Sequence, residues 1–85
     1  MTRKQALHLS WGQTIHHKVM VNRDGTPLRA RVNGSIKTWK TRPDDFVIPM
    51  KHGLYECFYI GDVSSQSYRK YQGKDVLTYL EWEIV

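Results

Sequence analysis

Between residues 14 and 21 the chain alternates Ile15, His17, Val19 and Val21 with Thr14, His16, Lys18 and Met20, and its β-branched content predicts a strand. Asn22-Arg23-Asp24-Gly25-Thr26-Pro27 follows as a turn, because Asn, Asp and Gly tolerate positive φ and Pro fixes its own. Leu28-Arg29-Ala30-Arg31-Val32 and Ile36-Lys37-Thr38-Trp39-Lys40 then flank Asn33-Gly34-Ser35, which reads as a β-hairpin. Loop length decides which side chains share a face. A two-residue loop sets Val32 opposite Ser35 and Ala30 opposite Lys37, mixing apolar and charged positions. A three-residue loop sends Leu28, Ala30, Val32, Ile36 and Thr38 to the core and leaves Arg29, Arg31, Lys37 and Trp39 on one exposed face.

Upstream, residues 2–10 contain neither Gly nor Pro and predict a short helix ended near Gly12. Downstream, Thr41-Arg42-Pro43-Asp44-Asp45 is a turn and Phe46-Val47-Ile48 a short buried strand ended by Pro49. Lys51-His52-Gly53 is a further turn. Residues 54–60 are largely apolar or aromatic on both faces, as in a central strand. Residues 64–72 carry Tyr68 and Tyr71 at helical spacing ahead of Gly73, and residues 76–85 read as a final strand, although Leu77, Leu80 and Ile84 also satisfy a helical period. These elements predict one domain spanning residues 1–85, mainly β: a small SH3-like or OB-like barrel of about five strands with a short helix. The competing arrangement is an open antiparallel sheet covered by one helix.

Composition supports a folded domain with a thin margin: 85 residues, 40% hydrophobic, with ten aromatic side chains. No apolar run approaches the roughly 20 residues of a membrane span, and the first residues lack the apolar stretch of a signal peptide, so a soluble, cytoplasmic protein is expected. Cys57 has no second cysteine to pair with, and its apolar strand predicts a buried, unreactive thiol.

Charge changes the picture most. The first 42 residues hold nine Lys and Arg against Asp24 alone, a net +8; the remaining 43 hold four against seven acids, a net −3. The basic half has the balance of a polyanion binder. Within it, Arg29, Arg31 and Lys37 on the predicted hairpin face, continued by Lys40, Arg42 and Lys51, would neutralise phosphates, and Trp39 would stack on an unpaired base. The structural alternative places Trp39 in the core and leaves the cations along a solvated edge strand.

Chemistry of other classes finds little footing. His16 and His17 point to opposite faces of a strand and no HExxH is present among the four histidines, which include His8, so no metal site is expected. A nuclease using His52 beside Lys51 as acid and base is conceivable, but acidic groups for metal-dependent cleavage are sparse near the basic half. The six glycines are too scattered for a phosphate-cradling loop, and no catalytic residue or cofactor is assigned.

The stretch from Leu28 to Pro43, followed by Phe46-Val47-Ile48-Pro49-Met50-Lys51-His52-Gly53-Leu54, resembles small basic proteins of phage and mobile-element genomes. That resemblance carries no established activity; it implies a context in which small proteins bind and modulate a host protein. The expected function is therefore a non-enzymatic module binding DNA or RNA through a basic, aromatic hairpin face, with a host-protein modulator as the alternative. In the latter, the C-terminal aromatics Tyr55, Tyr59, Tyr68, Tyr71, Tyr79 and Trp82 offer an interface, although most such rings should pack the core.

Overall fold

The computed structural model describes residues 1–53, 56–64 and 70–85. A short helix α1 (Arg3–Leu7) precedes the strands β1 (Thr14–Val21), β2 (Pro27–Val32), β3 (Lys37–Trp39), β4 (Arg42–His52), β5 (Glu56–Asp62), β6 (Lys70–Tyr71), β7 (Lys74–Thr78) and β8 (Trp82–Ile84). A 3-10 turn, Tyr79–Glu81, leads into β8. The helix starts in a capping box: Gln5 N donates to the Thr2 hydroxyl at 3.1 Å while Thr2 N donates to Gln5 Oε1 at 2.9 Å. It stops at Leu7, well short of Gly12, and buried Ala6 and Leu9 hold this segment on the sheet.

The strands lie in the order β6-β7-β5-β4-β2-β1-β8, with β3 also paired to β4; β5 and β7 run parallel and the other pairs are antiparallel. β7 and β8 belong to opposite ends of this order, yet only Tyr79–Glu81 separates them. Four Cα steps reach at most about 14 Å. The sheet must therefore curl until its two sides approach each other, and Tyr79 packs inside the curl with its ring 5.4 Å from Phe46. Among the described residues β6 and β8 do not pair, so the sheet is not closed into the expected barrel. The protein is a small, mainly β domain with one helix and more strands than the five expected. The predicted final strand is two strands on opposite sides of the sheet.

The concave face holds the core. Met50 pairs with Phe58, Ile48 with Ile60 and Phe46 with Asp62 across β4 and β5, so these positions point the same way. Phe46, Ile48, Met50 and Ile60 form one buried cluster with Ala6, Leu9, Ile15, Ala30, Val32 and Trp82, and the half-buried Phe58 packs against it with its ring stacked on Trp82 at 5.6 Å. Burying each large side chain contributes about 1.5–3 kcal/mol. Arg3 is spent on this architecture: it lies 5.0 Å from the Phe46 ring centroid and donates to Asp62 and to the Asp44 carbonyl.

The predicted hairpin across Asn33-Gly34-Ser35 is not formed. β2 and β3 lie end to end along the same edge of β4, with Arg31 opposite Lys51, Val32 opposite Met50, Lys37 opposite Val47 and Thr38 opposite Phe46. The reversal comes later, at Lys40-Thr41, where Trp39 faces Arg42. Pro49 explains the break between β2 and β3. Its carbonyl accepts from Asn33 N at 2.8 Å, so the side of Pro49 that lacks an N–H also faces this segment rather than β5. The ladder is interrupted there, and β4 runs through Pro49 instead of ending at it. A Cβ on Gly34 would lie only 3.1 Å from Pro49 Cγ, so glycine permits the close crossing.

The assignment of β1 holds, but its faces change halfway. Ile15 and His17 are buried, whereas Val19 and Val21, which continue the same alternation, are exposed. His17 Nδ1 accepts from both Val19 N (3.1 Å) and Met20 N (2.9 Å), which pulls the backbone out of register between His16 and Val21. Residues 18–27 are all exposed. Their turn is held by Asn22 N donating to the Thr26 carbonyl and by Thr26, whose hydroxyl and amide donate to Asp24 and keep that carboxyl below its usual range. The predicted helical turn over 64–72 falls mostly outside the described residues; within them, Lys70–Tyr71 is strand.

Candidate functional site

The convex face of the sheet collects the candidate cations through strand alternation alone. Arg31 sits directly opposite Lys51, and Arg29, two residues earlier, shares their face, as does Lys37 opposite Val47. Arg29, Arg31 and Lys37 are exposed and Lys51 is half-buried. Like charges opposed across an antiparallel pair cost up to about 1 kcal/mol. Among the described residues no carboxylate forms an ion pair with Arg29, Arg31, Lys37, Lys40 or Lys51.

Three acids of the C-terminal half are engaged away from these cations. Asp62 shares the concave side with Phe46, where it meets Arg3, and Glu81 meets His17 at 3.2 Å. Asp45 is buried and accepts from Ser64 N and Oγ at 3.1 and 3.3 Å. Glu83 lies opposite His16, which is itself opposite Arg29, so Glu83 shares the convex face at the β8 edge, with 3.6 Å between the Glu83 and His16 side chains. The opposite-face reading of His16 and His17 is thereby met, with a different glutamate for each.

Two shallow hollows flank the Arg31–Lys51 pair. One, about 400 Å³, is lined by Thr14, Arg29, Ala30, Arg31, Lys51 and Gly53; the other, about 180 Å³, by Trp11, Gly12, Arg31, Val32, Asn33 and Lys51. Arg31 and Lys51 belong to both and form the divide between them.

Trp39 and Arg42 depart from the expected roles. Trp39 is half-buried: its ring lies 4.3 Å from the Arg42 guanidinium carbon, edge-on to Tyr71 at 6.2 Å, and 5.8 Å from Lys37 Nζ. Arg42 also lies 3.7 Å from Asp45. Trp39 is thus part of an aromatic cluster continued by Tyr71 against Tyr59 at 4.9 Å, and Arg42 is engaged with its own ring and carboxylate. Lys40 is exposed in the β3–β4 turn, beyond the cluster. The seven candidates therefore divide: Arg29, Arg31 and Lys51 come together, Lys37 lies four residues along β4 from Lys51, about 13 Å away, and Trp39, Lys40 and Arg42 gather at the far end.

Two residues on this face escaped sequence reasoning. Trp11 is 72% exposed beside Arg31 and Lys51, because Gly12 N donates to the Val32 carbonyl at 2.8 Å and fastens the turn to β2. Lys74, in the acidic half of the sequence, reaches the Cys57 carbonyl at 2.6 Å. Cys57 itself is exposed, not buried as expected, because it occupies the convex side of β5 opposite Lys51. Asn33 Nδ2 lies 3.9 Å from its sulfur. Among the described residues no three His, Cys, Asp or Glu side chains gather as a metal-holding group, and no helix is long and apolar enough to cross a membrane.

No family model, curated protein or solved structure matches this chain.

Proposed function

We propose that the convex face binds the phosphate backbone of nucleic acid, with Arg29, Arg31, Lys37 and Lys51 as the contacting cations and Lys40 extending the track. The observation that carries this reading is the directly opposed Arg31–Lys51 pair, which has no carboxylate partner among the described residues. A phosphate seated between them converts a repulsive cross-strand pair into charge-assisted hydrogen bonds. Arg42 and Trp39 shape the end of the surface rather than contact phosphate. The role needs no reacting group, which fits a binding module of the SH3-like or OB-like kind, in which a curved sheet presents its surface to a strand. Electrophoretic mobility with single-stranded and duplex DNA and RNA tests it. Complexes are expected near 50 mM salt and should weaken sharply by 200 mM; no complex with any of the four at the lower salt would remove the reading.

The host-protein modulator remains a second reading because of a different feature. Val19, Met20 and Val21 are exposed at the end of β1, and Met20, Leu28, Phe58, Leu77 and Trp82 line a largely apolar cleft of about 360 Å³. Binding there would respond weakly to salt. The C-terminal rings support it less, since Trp82 and Tyr79 pack the core and Tyr59 and Tyr71 pack each other.

A further inference from the structure

We infer that the hollow beside Trp11 is a nucleotide subsite for single-stranded nucleic acid, in which an unpaired base stacks on Trp11 and its phosphate sits on Arg31 and Lys51. The inference rests on the proposed phosphate-binding face and adds to it the kind of strand that the face accepts.

Three observations carry it. Trp11 is the most exposed aromatic side chain among the described large hydrophobics, at 72%, on a chain that buries Trp82 and half-buries Trp39. Its exposure is not that of a loose end. Gly12 N donates to the Val32 carbonyl, Val32 N to the Gln13 carbonyl at 3.0 Å, Ser10 N to Gln13 Oε1 at 3.0 Å, and Gln13 N to the Ser10 carbonyl at 3.0 Å. The turn is clamped on both sides of the indole, so the ring is presented on a fixed base, with little ordering left for a ligand to impose. Third, the hollow joins this ring to the two cations and to the exposed amide of Asn33.

That combination suits a nucleotide: an aromatic plane for the base, paired cations for the phosphate, and a polar amide at the base edge. It does not suit a duplex, in which neighbouring bases already occupy both faces of each base. The larger hollow on the other side of Arg31 and Lys51, with Arg29 on its wall, continues the track for the next backbone segment.

The test compares wild type with Trp11→Ala and Trp11→Phe, using oligo-dT and oligo-rU of about twelve nucleotides, a length within the usual single-strand site sizes, and a duplex of the same length. Trp11→Ala should weaken binding of the single strands by about 5- to 150-fold and of the duplex by less than about twofold, with Trp11→Phe between them. Indole fluorescence should fall on adding oligo-dT to wild type and change much less in Trp11→Phe. Melting temperatures should agree across the three proteins, since the ring is exposed. Single-strand affinity unchanged in Trp11→Ala, or equal losses with duplex and single strand, would overturn the subsite while leaving the phosphate face in place. Absence of wild-type binding to every nucleic acid would instead remove the face itself, and the subsite with it.

Discussion

Replacing Arg31 and Lys51 together by glutamine is expected to cut nucleic-acid affinity by about 100-fold or more at low salt while leaving the fold as stable as before, or slightly more so. Hydrogen bonds to charged groups are worth about 1.5–3 kcal/mol each, so two lost phosphate contacts reach that figure. Stability moves the other way because the change removes a repulsive cross-strand pair and deletes no ion pair among the described residues. The log-log salt slope should also shrink by about 1.4–1.8, at 0.7–0.9 per contact. Urea unfolding and fluorescence anisotropy on one preparation measure both quantities. A double variant that binds like wild type, or that loses binding only because it unfolds, would show that the pair belongs to the scaffold.

Gly61→Ala should have the largest effect on folding. Gly61 lies opposite Val47 in the β4–β5 ladder, and a Cβ there would stand 2.1 Å from the Phe46 carbonyl oxygen and 3.1 Å from the Val47 Cα. The obstacle is backbone at the centre of the sheet, not the tip of a side chain that can swing aside. Relief requires β4 and β5 to separate, beside Phe46, Ile48 and Ile60, which are fully buried. A cost of about 3 kcal/mol, the upper part of the overpacking range, is a large fraction of what so small a domain has to lose. Circular dichroism should show loss of the cooperative thermal transition or a drop of well over 10 °C; a melting curve like that of wild type would mean that β5 does not approach Phe46 so closely.

These two positions also show what could be read in advance. The short helix near the first residues, the strand at 14–21 and the turn after it were legible because each depends on neighbours a few residues apart. The Asn33-Gly34 hairpin was misread for the opposite reason. Its local turn chemistry is sound, but β4 offers an edge long enough for β2 and β3 to lie along it in succession, and Pro49 supplies the interruption between them. The face assignment survived the wrong pairing by parity. From Val32–Met50 to Lys37–Val47 the β2–β3 side gains two residues over β4, an even number, so Arg29, Arg31 and Lys37 still share a face. Lys51 joined them across strands, as the basic track proposed. Trp39 was placed too far outward because its neighbours Arg42 and Tyr71 meet it only through the fold. Trp11 was passed over for a related reason: its place beside Arg31 depends on a backbone bond from Gly12 to Val32 that no local pattern encodes.

The salt dependence of wild-type binding to a fluorescent single strand tests the central claim most directly. Four or five cations on the convex face, each releasing about 0.7 of a counterion from a single strand, predict a slope of about −3 for log affinity against log salt. A slope near zero, or no binding at about 50 mM salt, would contradict a phosphate-binding face.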